Sequence, residues 1–268
     1  YNLRHGYPSP TLGRQIESLN GRYITSQGLG TDVEDMQAIR LETDHVVGLH
    51  RAYGGCGDPS PVMAHGALAG LKACLEEVGR EPALSGLTVA IQGLGRGGSE
   101  LARQLLAKGA RVVGADKDRV AADIARKAMD IAVVEDEEIY EVECDVWSPC
   151  AVGEILNDDT IPRLKCRIVA GPANNQLAEP RHADILAERD ILYAPDFVFN
   201  AGALIAVTEE IAGYSFARAM RRAEDIYGAL KRVFAMASGR GMSTAEAANA
   251  LAEERIRQLG ALSGGARG

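Results

Sequence analysis

Three glycines with fixed spacing, Gly93, Gly95 and Gly98, lie between an apolar run at residues 87–91 and a helical pattern at residues 99–108. In such a G-x-G-x-x-G turn the first glycine permits a tight bend. The second lets a pyrophosphate approach the backbone, and the third allows the helix to pack on the strand. The pattern therefore predicts a dinucleotide site at the N-terminus of a helix, with a ligand-free tight turn as the alternative. The predicted contacts are Gly93, Leu94, Gly95, Arg96, Gly97 and Gly98.

A carboxylate follows the next apolar run. Residues 111–115 end at Asp116, which lies 23 positions after Gly93. A carboxylate at this place can accept hydrogen bonds from both ribose hydroxyls of NAD and would repel the 2′-phosphate of NADP. The sequence therefore predicts NAD as the cofactor, with Lys117 as a neighbouring contact. Arg111 and Lys117 flank the acid, so some tolerance of NADP stays open.

The elements that would position these residues alternate between strand and helix patterns. Short β-branched runs occur at residues 87–91, 111–115, 131–134, 167–170 and 191–193. Helical patterns lie between most of them, and this alternation indicates crossover connections and a mainly parallel sheet. The predicted fold class is therefore α/β, with a doubly wound Rossmann-type domain and a reduced second domain.

A stretch rich in helix and strand breakers, residues 53–61, marks the best domain boundary. We expect residues 1–57 to be the remnant of a substrate domain and residues 58–205 to be the NAD-binding domain. Residues 206–268 should form helices that pack back toward the first segment. The other predicted elements are a helix from residue 12 that ends at Asn20-Gly21, a short strand at 23–25 and a helix at 61–79. A last helix should run from a capping box at 243–246 to about 259, before a frayed tail at 263–268.

The composition limits the partners of the chain. A net charge of −8 and a pI near 5.3 argue against a nucleic acid or an anionic membrane surface. No apolar run reaches the ~18 residues needed to span a bilayer, and the opening residues contain no signal-peptide core. The five cysteines occur without a C-x-x-C pair, which favours reduced thiols over disulfides or a metal site. We therefore expect a cytoplasmic protein without a metal, whose true start is either processed or missing.

Several longer segments resemble the glutamate/leucine/phenylalanine/valine dehydrogenases, and most closely the leucine and phenylalanine enzymes. The most specific are P-C-A at 149–151, A-N-N-Q-L at 173–177 and A-P-D-F-V-F-N-A-G at 194–202. The matching segments follow the order of the family and cover nearly the whole chain. They are residues 19–36, 42–49, 57–66, 89–98, 143–153, 169–177 and 192–205.

The resemblance implies further cofactor contacts. Cys150 and Ala151 would line the ribose on the nicotinamide side, and Asn200 would hold the nicotinamide carboxamide. The segment Ala173, Asn174 and Asn175 would border the nicotinamide ring. Simpler interpretations stay open, because Cys150 could be a small buried apolar group and the asparagine pair could only make a turn.

The resemblance also implies a substrate site that departs from the family pattern. In the family, the N-terminal domain carries one lysine that anchors the substrate carboxylate and another that drives proton transfer. The residues before Leu12 are too few to hold that segment, so we expect most of that catalytic domain to be lacking. Gly28 stands where the family has an acidic residue, and Met63 stands where it has a threonine. Small residues, Ala203 and Ala206, replace a glycine and a polar group.

These departures predict an NAD-dependent oxidoreductase for a small amino- or imino-type substrate. Its catalytic residues would be altered, so ordinary amino-acid deamination is not expected. Met63 and Val207 would line the substrate pocket, although Val207 could equally pack in the core. His65 is the candidate acid or base because histidine side chains in general suit proton transfer near neutral pH, although a purely structural role stays open. Weaker candidates are Asp58, Arg51 and His50. The alternatives are a non-catalytic NAD-binding or partner protein and an NAD-assisted lyase or isomerase, and a homo-oligomer, in the simplest case a dimer, is expected.

Overall fold

Six parallel strands form one sheet in the order β3-β2-β1-β4-β5-β6. The computed structural model describes residues 9–28 and 30–264. The strand order reverses between β1 and β4, which is the arrangement of a doubly wound nucleotide-binding domain, and it confirms the predicted α/β class. The strands are β1 (Thr88–Gln92), β2 (Arg111–Ala115), β3 (Ala132–Val133), β4 (Val146–Pro149), β5 (Ile168–Val169) and β6 (Leu192–Tyr193).

The register aligns the carboxyl ends of the central strands. Gln92 at the end of β1 pairs with Ala115 of β2 on one side and with Pro149 of β4 on the other. Residues that follow these three strands therefore meet at one edge of the sheet, where ligands bind in open α/β folds.

Strand β4 is the one strand of the sheet that the sequence patterns did not predict. Its four residues include a tryptophan and end in a proline, so neither a β-branched run nor a clear period marks it. It is nevertheless central, and Val146 and Trp147 are completely buried. The ladders to β1 and β5 on its two sides impose the extended conformation, which is a tertiary effect rather than a local propensity.

The helices surround the sheet and extend into the first segment. No helix in the described ranges is long and apolar enough to cross a membrane. The helices are α1 (Ser9–Glu17), α2 (Val33–Arg40), α3 (Ser60–Glu77), α4 (Arg96–Ala107), α5 (Arg119–Met129), α6 (His182–Glu188), α7 (Asp196–Phe199), α8 (Ala201–Thr208), α9 (Phe216–Arg240) and α10 (Thr244–Gly264).

The first segment differs from its sequence-based description. Helix α1 ends at Glu17, before the predicted stop at Asn20-Gly21, and Thr25 forms only an isolated parallel bridge with Val46. Helix α2 was not predicted, although its start carries a capping box in which Asp32 and Asp35 exchange hydrogen bonds with the backbone. The expected fraying of the tail falls mostly on residues 265–268, outside the described part of the chain.

The long C-terminal helix α9 packs against α3 of the predicted nucleotide-binding domain. Helix α9 lies along α3, where a Cβ added at Gly66 would come within 2.6 Å of Cδ1 of Ile226. Leu230 and Phe234 of α9 are buried in the same core as Leu71 of α3 and the sheet. The helix therefore completes the nucleotide-binding domain, because its apolar face has the sheet-covering helix α3 as a neighbour. The domain boundaries at 57 and 205 stay a prediction.

One carboxylate binds three backbone groups of the first segment. Glu210, in a 3₁₀ turn after α8, accepts backbone N–H bonds from Gly48, Leu49 and Cys56 at 2.9, 3.3 and 2.7 Å. Its neighbour Glu209 is buried and pairs with arginines of α9. Such charge-assisted bonds fix the segment before the predicted boundary onto the end of α8.

Candidate cofactor and active site

The glycine turn after β1 depends on close approaches that only glycine permits. Gly93 has a φ of +102°, and an added Cβ would lie 2.7 Å from Cβ of Ala151. A Cβ added at Gly98 would collide with the carbonyl oxygen of Gly93. These two positions therefore hold helix α4 tightly against the end of β1, as the sequence pattern predicts.

The N-terminus of α4 is open toward solvent. Gly95 is its N-cap and provides no side-chain acceptor, and an added Cβ at Gly95 would meet nothing within 4 Å. Gly95 and Arg96 are exposed. The first amide donors of the helix are therefore available to an anion, and the space beside Gly95 is what a pyrophosphate needs. The side chain of Leu94 is buried over Gly114, so only its backbone belongs to this site.

Asp116 is fixed by the turn that it faces. Its Oδ2 accepts a 2.6 Å hydrogen bond from the N–H of Leu94, and its Oδ1 accepts a 2.9 Å bond from the N–H of Asp118. The residue is half-buried, and each carboxylate oxygen can accept a second hydrogen bond. The carboxylate is thus oriented beside the glycine turn, where the ribose hydroxyls of a dinucleotide would lie. Lys117 follows it and is exposed.

The segment after β4 packs against the same turn. A Cβ added at Gly98 would lie 3.1 Å from Cβ of Cys150. A Cβ added at Gly93 would lie 2.7 Å from Cβ of Ala151. Burial raises the pKa of the Cys150 thiol to about 12, so this thiol is neutral near pH 7. Cys150 therefore shapes the wall of the site and does not act as a thiolate.

Two asparagines, one after β5 and one after α7, are in contact at the same edge of the sheet. The Nδ2 of Asn200 donates to Oδ1 of Asn174 at 2.5 Å. Asn175 has a φ of +50°, and its carbonyl accepts a 2.6 Å bond from the N–H of Glu154. The N–H of Ala173 donates to the carbonyl of Pro149 at 3.0 Å. The structure thus brings these predicted residues to the end of β4, next to the glycine turn.

The start of α3 closes this edge. Cε of Met63 would lie 3.1 Å from a Cβ added at Gly97, and a Cβ at Gly202 would lie 2.7 Å from the Cα of Met63. Met63 therefore lies between the starts of α4 and α8. His65 is about 200° further around the helix, and its Nε2 is 3.1 Å from Oε1 of Glu224 on α9. The structure does not bring His65 together with the cofactor residues.

The remaining substrate-side candidates have local structural partners. Val207 is buried with Val47 and Cys56, and Ala206 packs in a core with Val62. Gly28 is exposed, and its N–H donates to Oγ1 of Thr31. The weaker polar candidates each make a backbone bond: Asp58 accepts from Ser60, His50 accepts from Ala52, and Arg51 donates to the carbonyl of Cys56.

Two glutamines of the site were missed by the sequence analysis. Gln92 is buried at the end of β1, and its Oε1 has no hydrogen-bond partner among the described residues. Gln176 is completely buried, and its amide donates to the carbonyls of Gly171 and Ala173. A polar residue that ends an apolar strand is the signal that could have identified Gln92.

One cluster with metal-binding residue types lies away from this edge. Asp158, Glu179 and His182 are close together. Nδ1 of His182 accepts the N–H of Glu179 at 2.9 Å, and Arg181 donates to both carboxylates. Because protein donors already engage these groups, we assign no metal to the cluster.

The fold and the site together define a class. A parallel sheet of this order, a glycine turn that opens a helix, and a carboxylate after the second strand form the dinucleotide-binding domain of α/β dehydrogenases. The open amide donors of α4 and the half-buried Asp116 fit the pyrophosphate and the ribose of such a cofactor.

Comparisons with known proteins identify the family. A family model described as glutamate/leucine/phenylalanine/valine dehydrogenase matches residues 115–264. The chain is 46% identical to leucine dehydrogenase from Thermoactinomyces intermedius over 248 residues, which are 92% of this chain and 68% of the relative. It is 41% identical to phenylalanine dehydrogenase from Caldalkalibacillus thermarum over 252 residues, again 92% of this chain and 68% of the relative. A crystal structure of L-tryptophan dehydrogenase from Nostoc punctiforme matches with a TM-score of 0.80 and 39% identity, covering 93% of this chain and 72% of that one.

The chain therefore belongs to the glutamate/leucine/phenylalanine/valine dehydrogenase family. It is an oxidoreductase of that family, and its cofactor is NAD. The resemblance drawn from the sequence segments is confirmed.

Proposed function

We propose that this chain oxidises or reduces a small amino- or imino-type substrate with NAD, through catalytic groups that differ from the usual set of its family. The observation that supports the proposal is the amide pair of Asn174 and Asn200, which shares this edge of the sheet with the apolar side chain of Met63. Amides can orient a neutral or weakly charged group. A pocket without a cation gains little from a substrate carboxylate.

The positions of the lysines support the same view. Lys231 pairs with Glu76 and Glu77 on the outer face of α3. Lys72 and Lys108 line a groove beside His65, on the side of α3 that faces away from Met63. Lys117 directly follows Asp116, and Lys127 lies in the last turn of helix α5. Lys165 precedes β5. No lysine of this chain therefore has a described contact with the asparagine pair.

Each part of the site has one task in the proposed reaction. The amide donors at the start of α4 bind the pyrophosphate, and Asp116 binds the adenosine ribose. The Asn200 amide, which is hydrogen-bonded to Asn174, would hold the nicotinamide carboxamide. NAD supplies the hydride acceptor when it is bound. Met63 and Cys150 lie against the glycine turn and would form one wall of the cofactor site.

The proposal predicts negligible oxidative deamination of leucine, valine, phenylalanine or glutamate by this chain. Among the described residues no lysine contacts the asparagine pair, so these residues would neither hold the carboxylate of an amino acid nor deprotonate its reacting carbon. The test follows NADH absorbance with these amino acids at alkaline pH and with a panel of uncharged imines in the reductive direction. NADH consumption with an imine, and none with the amino acids, is the expected result.

Three outcomes would contradict the proposal. Robust turnover of leucine would mean that an ordinary catalytic set operates. Tightly held NAD that never turns over would favour an assisted lyase or isomerase reaction. Cofactor binding with no turnover of any substrate would favour a binding protein.

We also propose a homo-oligomer, in the simplest case a dimer, and a cytoplasmic location. The support for assembly is a set of apolar side chains exposed on the first segment, since exposed apolar patches are typical of interaction surfaces. They are Leu12, Leu19, Tyr23, Ile24 and Leu41. The support for the location is that all five cysteines are free thiols.

A further inference from the structure

Two of the free cysteines, Cys144 and Cys166, are neighbours across strands β4 and β5. The ladder pairs Val146 with Ile168, and the same offset continues to an isolated bridge between Glu143 and Lys165. Cys144 and Cys166 are therefore register partners, and the N–H of Cys144 donates to the carbonyl of Lys165 at 3.3 Å. Partners in a parallel ladder direct their side chains to the same face of the sheet.

The spacing of these residues suits a covalent bond between them. Neighbouring strands lie about 4.8 Å apart, which falls inside the range of about 4.4–6.8 Å between the Cα atoms of disulfides. Both residues are partly exposed. Of the other cysteines, Cys56 and Cys74 are completely buried.

The pair is also arranged for reaction. The neighbouring Cys144 thiol lowers the pKa of Cys166, and the same interaction raises the pKa of Cys144. The guanidinium of Arg189, which donates to the carbonyl of Leu164, adds a smaller effect that lowers the pKa of Cys166. Cys166 is thus the better nucleophile, and Cys144 is the resolving thiol.

We propose that Cys144 and Cys166 form a reversible disulfide when the protein meets a peroxide or a thiol oxidant. With hydrogen peroxide, Cys166 Sγ attacks one oxygen, the O–O bond breaks, and a sulfenic acid and one water result. Cys144 Sγ then attacks that sulfur, the S–O bond breaks, and the second water leaves. The two thiols lose two electrons and two protons in total, and the peroxide takes them up. A thiol reductant reverses the reaction by exchange.

The position of the pair determines the expected effect. Both cysteines precede their strands, whereas the cofactor residues Cys150 and Ala173 follow the opposite ends of β4 and β5. A disulfide here closes the loop from 144 to 166 without reaching the cleft. Oxidation should therefore raise the midpoint of thermal unfolding by about 5 °C or more, through loop closure. NADH affinity should change by less than about twofold, because no cofactor contact moves.

The experiment treats the full chain with diamide or hydrogen peroxide, blocks the remaining thiols, and maps the product by mass spectrometry. Cleavage before aspartate separates the cysteines: Cys144 ends the peptide 136–144, Cys150 lies in 145–157, and Cys166 lies in 159–183. The expected product is one disulfide that joins 136–144 to 159–183, with Cys150 still blocked as a free thiol. Reductant should abolish it and reverse the rise in the unfolding midpoint.

Variants separate the pair from the other thiols. Cys166→Ser and, independently, Cys144→Ala should lose both the cross-link and the oxidant-dependent rise, whereas Cys74→Ala should retain them. Two variants are used because a folding defect in one of them would leave the other to test the cross-link. A cross-link to any other cysteine, a cross-link between chains, or thiols that stay free under conditions that oxidise glutathione would overturn the proposal.

Discussion

At the scale of single residues, Asp116 combines two tasks that a variant can separate. Its oxygens accept the N–H groups of Leu94 and Asp118, and it faces the place of the ribose. We expect Asp116→Ala to weaken NADH binding by about 10- to 100-fold, since a hydrogen bond to a charged group contributes ~1.5–3 kcal/mol. NADPH binding should weaken far less, because the variant also removes the repulsion of the 2′-phosphate.

Calorimetric titration of both cofactors measures this difference. The ratio of the two affinities is the informative quantity, since the Leu94 N–H loses its acceptor whichever cofactor is titrated. Asp116→Asn keeps one acceptor for the turn and serves as the matched control for loop loosening. Equal affinities of the unmodified chain for NADH and NADPH would refute the assignment of Asp116 to the ribose.

At the scale of elements, two glycines of the turn between β1 and α4 are expected to have different tasks. Gly95 would serve ligand binding, and Gly98 would serve folding. A Cβ at Gly95 has open space, whereas a Cβ at Gly98 would collide with the backbone of Gly93. We expect Gly95→Ala to change the free energy of unfolding by less than ~0.5 kcal/mol and to weaken NADH binding by about tenfold. Gly98→Ala should lower the free energy of unfolding by ~1–3 kcal/mol.

Denaturant unfolding without cofactor, followed by NADH titration, distinguishes the two effects. If Gly95→Ala bound NADH as tightly as the unmodified chain, the pyrophosphate would not approach this position. If Gly98→Ala unfolded like the unmodified chain, the helix would be free to shift away from the strand.

At the scale of the whole molecule, Glu210 connects the first segment to the nucleotide-binding domain. Its carboxylate accepts hydrogen bonds from the N–H groups of Gly48, Leu49 and Cys56. We expect Glu210→Gln to lower the free energy of unfolding by ~1–2 kcal/mol, because an amide has one acceptor oxygen and leaves a backbone donor unpaired. Amide hydrogens of residues 48–56 should exchange faster, while those of the sheet stay protected.

Hydrogen exchange read by mass spectrometry tests the coupling. Glu224→Gln is the matched control, since Glu224 pairs with His65 on the surface and its loss should cost less than ~0.5 kcal/mol. Unchanged exchange at residues 48–56 in the Glu210 variant would mean that other contacts hold the first segment.

The cofactor half of the site was accessible to sequence reasoning because its signals are local. A turn with a φ of +102° at Gly93 and a collision at Gly98 permit glycine alone, so the spacing itself carries the geometry. Asp116 ends a strand whose apolar pattern is clear, and it lies beside the turn as predicted. The parallel sheet follows from the alternation of strands and helices.

What only the tertiary structure decided are the features that depend on partners distant in sequence. Strand β4 is extended because β1 and β5 bond to both of its edges, and nothing within its four residues requires that. The same ladder makes Cys144 and Cys166 neighbours, although 21 residues separate them in the sequence. His65 is directed toward Glu224 instead of the cleft because two positions along a helix turn a side chain by about 200°. Local residue types thus determine turns and strand ends, while the packing of remote elements determines which side chains meet.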